Sequence, residues 1–79
     1  MPRYFIDSSD GARCERDDTG LELEDDAAAR MAALDALPDM VREVFPDGDE
    51  RTFSVHVRTS DGSDLYRAEM TLVGKWLKP

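Results

Sequence analysis

A single cysteine, Cys14, stands in a chain of 79 residues, so no intramolecular disulfide can form and no thiolate metal cage can be assembled. That scarcity suits a reducing, cytoplasmic home. Basic residues are also scarce: 10 against 18 acidic ones leave a net charge of -8, which repels a polyanion. Nucleic acid is therefore not an expected partner, because the nearest basic candidates, Arg51, Arg58, Arg67, Lys75 and Lys78, are interleaved with Asp49, Glu50 and Glu69. Long apolar runs are missing as well. Tyr4-Phe5-Ile6 is followed at once by Asp7, too short for a secretory h-region, and no window approaches the roughly 20 apolar residues of a membrane span. The glycines at 11, 20, 48, 62 and 74 are scattered singly, as turn residues are, which leaves no phosphate-cradling loop and no nucleophile elbow.

What is present reads as one small domain over residues 1–79. An apolar fraction of 41% spread through every segment argues against disorder. A chain of this size buries only about 60–65% of its unfolded surface, so the core must be thin. Two alternating runs flank Ser60-Asp61-Gly62-Ser63. Asp-Gly at the tip of a two-residue loop predicts a type I′ hairpin, and that tip sets Val57 opposite Tyr66, Val55 opposite Ala68 and Phe53 opposite Met70. The other face then pairs His56 with Arg67, Ser54 with Glu69 and Thr52 with Thr71. A slip of one residue would set Val57 against Arg67 and destroy the agreement.

The middle of the chain reads as helix, with Ala27, Met31, Leu34, Leu37 or Val41, and Val44 recurring at spacings of three and four. Asp25 or Asp26 caps its start, Arg42 suits its last turns, and Pro46 with Asp47-Gly48-Asp49 stops it. Pro38 removes a backbone donor at a cost of roughly 3 kcal/mol in an unbroken helix, which predicts a kink or a restart. In the N-terminal third, residues 3 to 7 form a strand and Ser8-Ser9-Asp10-Gly11 a turn. The return through Cys14 to Asp17 matches no alternation, and Asp17-Asp18-Thr19-Gly20 makes a second turn before Leu21 and Leu23 lead into the helix. The expected fold is α+β: β-β-α-β-β, one helix on one face of a small antiparallel or mixed sheet. Tyr4 and Ile6 point to one side and Phe5 to the other. Phe5 is covered either by a loop, by Trp76 or by a second subunit.

The opening Met1-Pro2-Arg3-Tyr4-Phe5-Ile6-Asp7, the Asp10-Gly11 pair, the stretch Asp18-Thr19-Gly20-Leu21-Glu22-Leu23 and the Ala-rich helix from Ala27 to Ala33 resemble a family of short bacterial proteins of unknown function. The resemblance covers residue 1 to about residue 40, and weakly the final hairpin. It implies no activity, cofactor or catalytic residue. Pro38 departs from the pattern, since the similar chains continue the helix there.

Candidate chemistry is sparse. Glu15, Asp17, Asp18, Glu22, Glu24, Asp25 and Asp26 could gather oxygens around a divalent cation. Aligning Gly20 with the central glycine of an EF-hand loop puts Glu15 first and Asp26 twelfth, where Asp and Glu belong, and no helix precedes the loop. His56, the sole histidine, sits on the wet face with only Glu69 diagonal to it, which makes neither a general base nor a metal site. Cys14 lies among Glu15 and Asp17, which disfavour a thiolate, and reads as inert or half-buried. Tyr66 and Met70 read as core, packed on Met31, Leu34 and Val41. No cofactor, metal or catalytic residue is expected. The leading function is a non-catalytic interaction or regulatory module, binding another protein or itself through a sheet edge or through Phe5 and Trp76. The rivals are an antitoxin-like or RNA-associated domain, by fold analogy, and weak cation binding by residues 15–26.

Overall fold

The computed structural model describes residues 1–43 and 49–78. The elements run β1 (Arg3–Ser9), β2 (Cys14–Glu15), β3 (Leu21–Glu22), α1 (Asp26–Glu43), β4 (Glu50–Thr59) and β5 (Asp64–Val73). They form one sheet in the order β2-β1-β4-β5, with β3 also paired to β1, and every pairing is antiparallel. The architecture is α+β with strands before and after one helix. No helix among the described residues is long and apolar enough to cross a membrane.

The register of the final hairpin is the one the alternation demands: Val57 faces Tyr66, Val55 faces Ala68 and Phe53 faces Met70. Its turn differs from the expected type I′. That turn needs a positive φ at Asp61, and among the described residues none other than glycine has one. Instead the Gly62 N–H donates to the Thr59 carbonyl at 3.0 Å and the Thr59 N–H donates to the Ser63 carbonyl at 2.9 Å. The loop is therefore three residues long, Ser60 to Gly62, with Gly62 carrying the left-handed φ of 87°. A three-residue loop shifts the pairing by one, as Arg58 opposite Asp64 shows, and a bulge at Leu65 shifts it back. Two offsets of one residue cancel because only the restored register puts Tyr66, Ala68 and Met70 on the same face as Val57, Val55 and Phe53.

That core consists of Tyr4, Ala29, Ala33, Leu37, Phe53, Val55 and Val57. Asp25 is the helix cap, its carboxylate accepting the Ala28 N–H at 2.9 Å, while Asp26 accepts the hydroxyl of buried Tyr4 at 2.8 Å. The helix is rotated from the expected face. Ala27 and Met31 are exposed, Leu34 and Val41 are half-buried, and the buried row is Ala29, Ala33 and Leu37. Bulky β4 side chains already fill the interlayer space, so the row that touches them must be small. The helix lies mainly over β4, and Met70 is exposed instead of packing on Met31. α1 continues through Pro38 as one element, without a restart. Pro38 is exposed, on the side where water can serve the carbonyl it leaves unpaired. The expected Val44 position and the stop at Pro46-Asp47-Gly48 lie outside the described residues.

Candidate functional site

β1 has two neighbours on its outer edge, and neither spans it. β3 pairs with Arg3 and Tyr4, β2 pairs with Ser8 and Ser9, and the loop between them faces the middle of the strand. There the Asp17 carboxylate accepts the Ile6 N–H at 3.0 Å, and also those of Thr19 at 3.0 Å and Gly20 at 2.9 Å. A side chain thus satisfies a backbone donor that a strand would otherwise take. The Asp17 N–H donates in turn to Asp7 at 2.9 Å.

On the outer sheet face Asp7 receives Arg58 in a two-pronged pair, Nε to Oδ2 at 2.7 Å and a terminal nitrogen to Oδ1 at 2.9 Å. Arg58 also donates to the Asp17 carbonyl at 3.0 Å and lies 5.1 Å above the Phe5 ring. The Arg58 guanidinium holds the Asp7 carboxyl below its ordinary range, and the Gly20 N–H does the same for Asp17. Gly20 has a φ of 78° and stands so close that a Cβ there would meet Phe5 Cε1 and the Tyr4 carbonyl at 3.0 Å. Phe5 is half-buried beneath this loop and Arg58, which makes the loop its cover.

The acidic residues between 15 and 26 therefore do not converge. Asp17 holds backbone, Asp25 caps the helix, Asp26 binds Tyr4, and Glu22 pairs with Arg3 at 3.5 Å. Among the described residues no group of three or more His, Cys, Asp or Glu side chains is placed to hold a metal ion. His56 is half-buried and faces Arg67 as expected, but its partner is Asp64, Nε2 to Oδ1 at 3.0 Å. The bulge at Leu65 turns Asp64 onto that face, a partner invisible to strict alternation. An open cavity of about 300 Å³ lies there, lined by Ser9, Cys14, Arg16, Ser54, His56 and Arg67. Cys14 is a free, exposed thiol. It is two strands across and two residues along from His56, about 12 Å between Cα atoms by standard sheet spacings. A nucleophile and its base need hydrogen-bond contact. Among the described residues no hydrogen bond joins Cys14 to His56, whose partner is Asp64.

The other exposed feature is the far edge of the sheet. β5 is ten residues long and, among the described residues, pairs only with β4, while the strands outside β1 are two residues each. Along and beyond β5, Met70 (41%), Leu72 (37%), Val73 (71%), Trp76 (77%) and Leu77 (92%) are exposed. Trp76 carries Lys78 5.6 Å from its ring and does not cover Phe5. Phe5 faces Arg58 whereas Val73 faces Glu50, eight residues along β4, which separates the two ends by about 27 Å. Phe5 and Trp76 therefore do not make one patch. The run from the first strand to this edge is matched by the model of a family described as a domain of unknown function (DUF6894), over residues 3–71. The chain belongs to that family. The match runs past the N-terminal segments and the Asp17–Gly20 loop into the final strand, where it ends at Thr71. No curated protein and no solved structure matches the chain.

Proposed function

We propose that this member of the family is a non-catalytic interaction module whose working surface is the open edge of β5. One observation carries the reading: a ten-residue strand whose second hydrogen-bonding edge has no partner among the described residues, in a sheet whose opposite edge is closed by short strands and a side chain. Proteins that do not use such an edge usually shield it with proline, lysine or a bulge. Between Tyr66 and Val73 the strand has no proline, lysine or bulge, its one bulge sitting at Leu65 beside the turn, and its two charges, Arg67 and Glu69, neutralise each other at 3.0 Å. A partner adding a strand there would gain main-chain hydrogen bonds and cover Met70 and Leu72.

The test is a variant that closes the edge without harming the fold. The Gly74 N–H donates to the Asp49 carbonyl. By alternation Leu72, Met70, Ala68 and Tyr66 turn their backbone groups toward β4, and Val73, Thr71, Glu69 and Arg67 turn theirs outward. Thr71→Pro removes an outward donor only, which edge strands tolerate. Tagged wild-type protein is expected to retain a partner from its host extract, and Thr71→Pro is expected to lose it with an unchanged circular dichroism spectrum. Equal capture by both proteins would refute the role of this edge.

A further inference from the structure

The outward set of backbone groups on β5 restricts which strand can join it, and one available strand is β5 of another molecule. We propose that two copies of this chain pair their β5 strands antiparallel about Ala68, so that Arg67 of each copy faces Glu69 of the other. The proposal rests on the edge reading above and names its occupant.

Three constraints select this register. First, the outward backbone groups belong to the odd-numbered residues from Arg67 to Val73, so an antiparallel partner with the same sequence must set odd against odd. Second, Tyr66, Ala68 and Met70 lie on the helix-bearing face, opposite Val57, Val55 and Phe53, and a pairing that keeps both helices on one side must set even against even. Both conditions put a two-fold axis through a residue of β5, not between two residues. Third, charge chooses the residue. An axis through Arg67 places that arginine against its own copy, and an axis through Glu69 does the same to the glutamate, both repulsive. An axis through Met70 sets Arg67 against Val73 and Glu69 against Thr71, with no charge partner. An axis through Ala68 sets Arg67 against the partner's Glu69 twice and Tyr66 against the partner's Met70 twice. The small Ala68 meets its own copy at the centre, where two strands without mutual hydrogen bonds approach most closely.

The side chains are ready for the exchange. Arg67 and Glu69 already lie 3.0 Å apart within one strand, with 66% and 52% of their side chains exposed. Re-pairing across the seam therefore takes little additional desolvation. Tyr66 is half-buried and Met70 exposed, so their cross-strand contact covers apolar surface that the helix leaves open. With the helix mainly over β4, the two helices would stand about three strand spacings apart, roughly 14 Å, wider than the 8–10 Å of packed helices and free of collision.

Light scattering on a sizing column, at several hundred micromolar chain and physiological salt, reads the assembly directly. At that salt the Debye length of about 8 Å screens much of the repulsion between two molecules of charge -8. The wild type is expected at twice the 8.9 kDa of the chain. Arg67→Glu and Glu69→Arg, each creating like-charge pairs across the axis, are expected to raise the dimer dissociation constant at least tenfold. The double variant Arg67→Glu with Glu69→Arg is expected to restore it. A wild type that stays at 8.9 kDa overturns the dimer, and single reversals without effect, or a double variant that stays weak, overturn this register. A monomeric wild type whose host partner is lost in Thr71→Pro would sink self-pairing and leave the edge as a surface for another protein.

Discussion

Asp17 is the residue whose position says most about how this chain folds. It takes the place of a strand beside Ile6, and through Asp7 and Arg58 it ties the N-terminal loop to the outer sheet face. Its type was visible in the sequence as one acid among seven, but its role was not, since that depends on a backbone donor eleven positions earlier being left free by two short strands. The same pairing has a pH signature. In the unfolded chain Asp7 and Asp17 titrate near 3.8, and in the folded protein both lie lower, Asp7 chiefly through Arg58 and Asp17 chiefly through the Gly20 N–H. Between the two values the unfolded chain binds more protons, so this stabilisation is complete above the unfolded value and is lost as pH falls through the folded ones. Thermal melts are expected to hold steady down to about pH 4 and then drop. Asp7→Asn should melt lower at neutral pH and show a shallower acid drop; an acid drop as steep as that of the wild type would remove Asp7 from the account.

Among the elements, the β4–β5 hairpin was the most legible and its turn the least. Alternation over six residues of each strand, 52–57 against 66–71, set the facing pairs correctly, while the Asp61-Gly62 dipeptide suggested a two-residue loop that the chain does not use. The core pattern is repeated many times along the strands, and the turn is specified once, so the pairing absorbs the extra loop residue in the bulge at Leu65. The helix shows the converse. Its presence and its start at Asp25 or Asp26 followed from the sequence, while the choice of Asp25 as cap, the passage through Pro38 and the orientation did not, because alanines on several faces give a weak periodic signal and Ala29 and Ala33 are buried for their smallness. Pro38 stays inside α1 at an exposed position. Pro38→Ala should restore a helical hydrogen bond and raise stability by about 1–2 kcal/mol after the lost rigidity of the unfolded chain is counted. Urea unfolding measures it, and a lower midpoint at equal slope would contradict it.

The whole molecule is long and thin for its chain length. Its radius of gyration is 14.5 Å and its extents are 55 × 21 × 19 Å, where a compact chain of this size would have a radius near about 12 Å. One helix placed mainly over β4 leaves much of β5 uncovered, and a thin core gives little stability in reserve. Association is the available remedy. If β5 pairs across a two-fold axis, folding and assembly are linked, and the melting temperature must rise with protein concentration. The wild type should gain several degrees between micromolar and several hundred micromolar chain, and Arg67→Glu should gain almost none. A melting temperature independent of concentration in the wild type would separate stability from assembly.

The sequence by itself determined the facing pairs of the last two strands, the presence of the helix and its start, the α+β class and the acidic surface, because each is written in neighbouring residues. Only the tertiary structure decided which helix face is buried, that Asp17 substitutes for a strand, that Asp64 joins His56, and that β5 is left open on one side. Those depend on which backbone and side-chain groups remain unsatisfied once distant segments meet, and no local period carries that information.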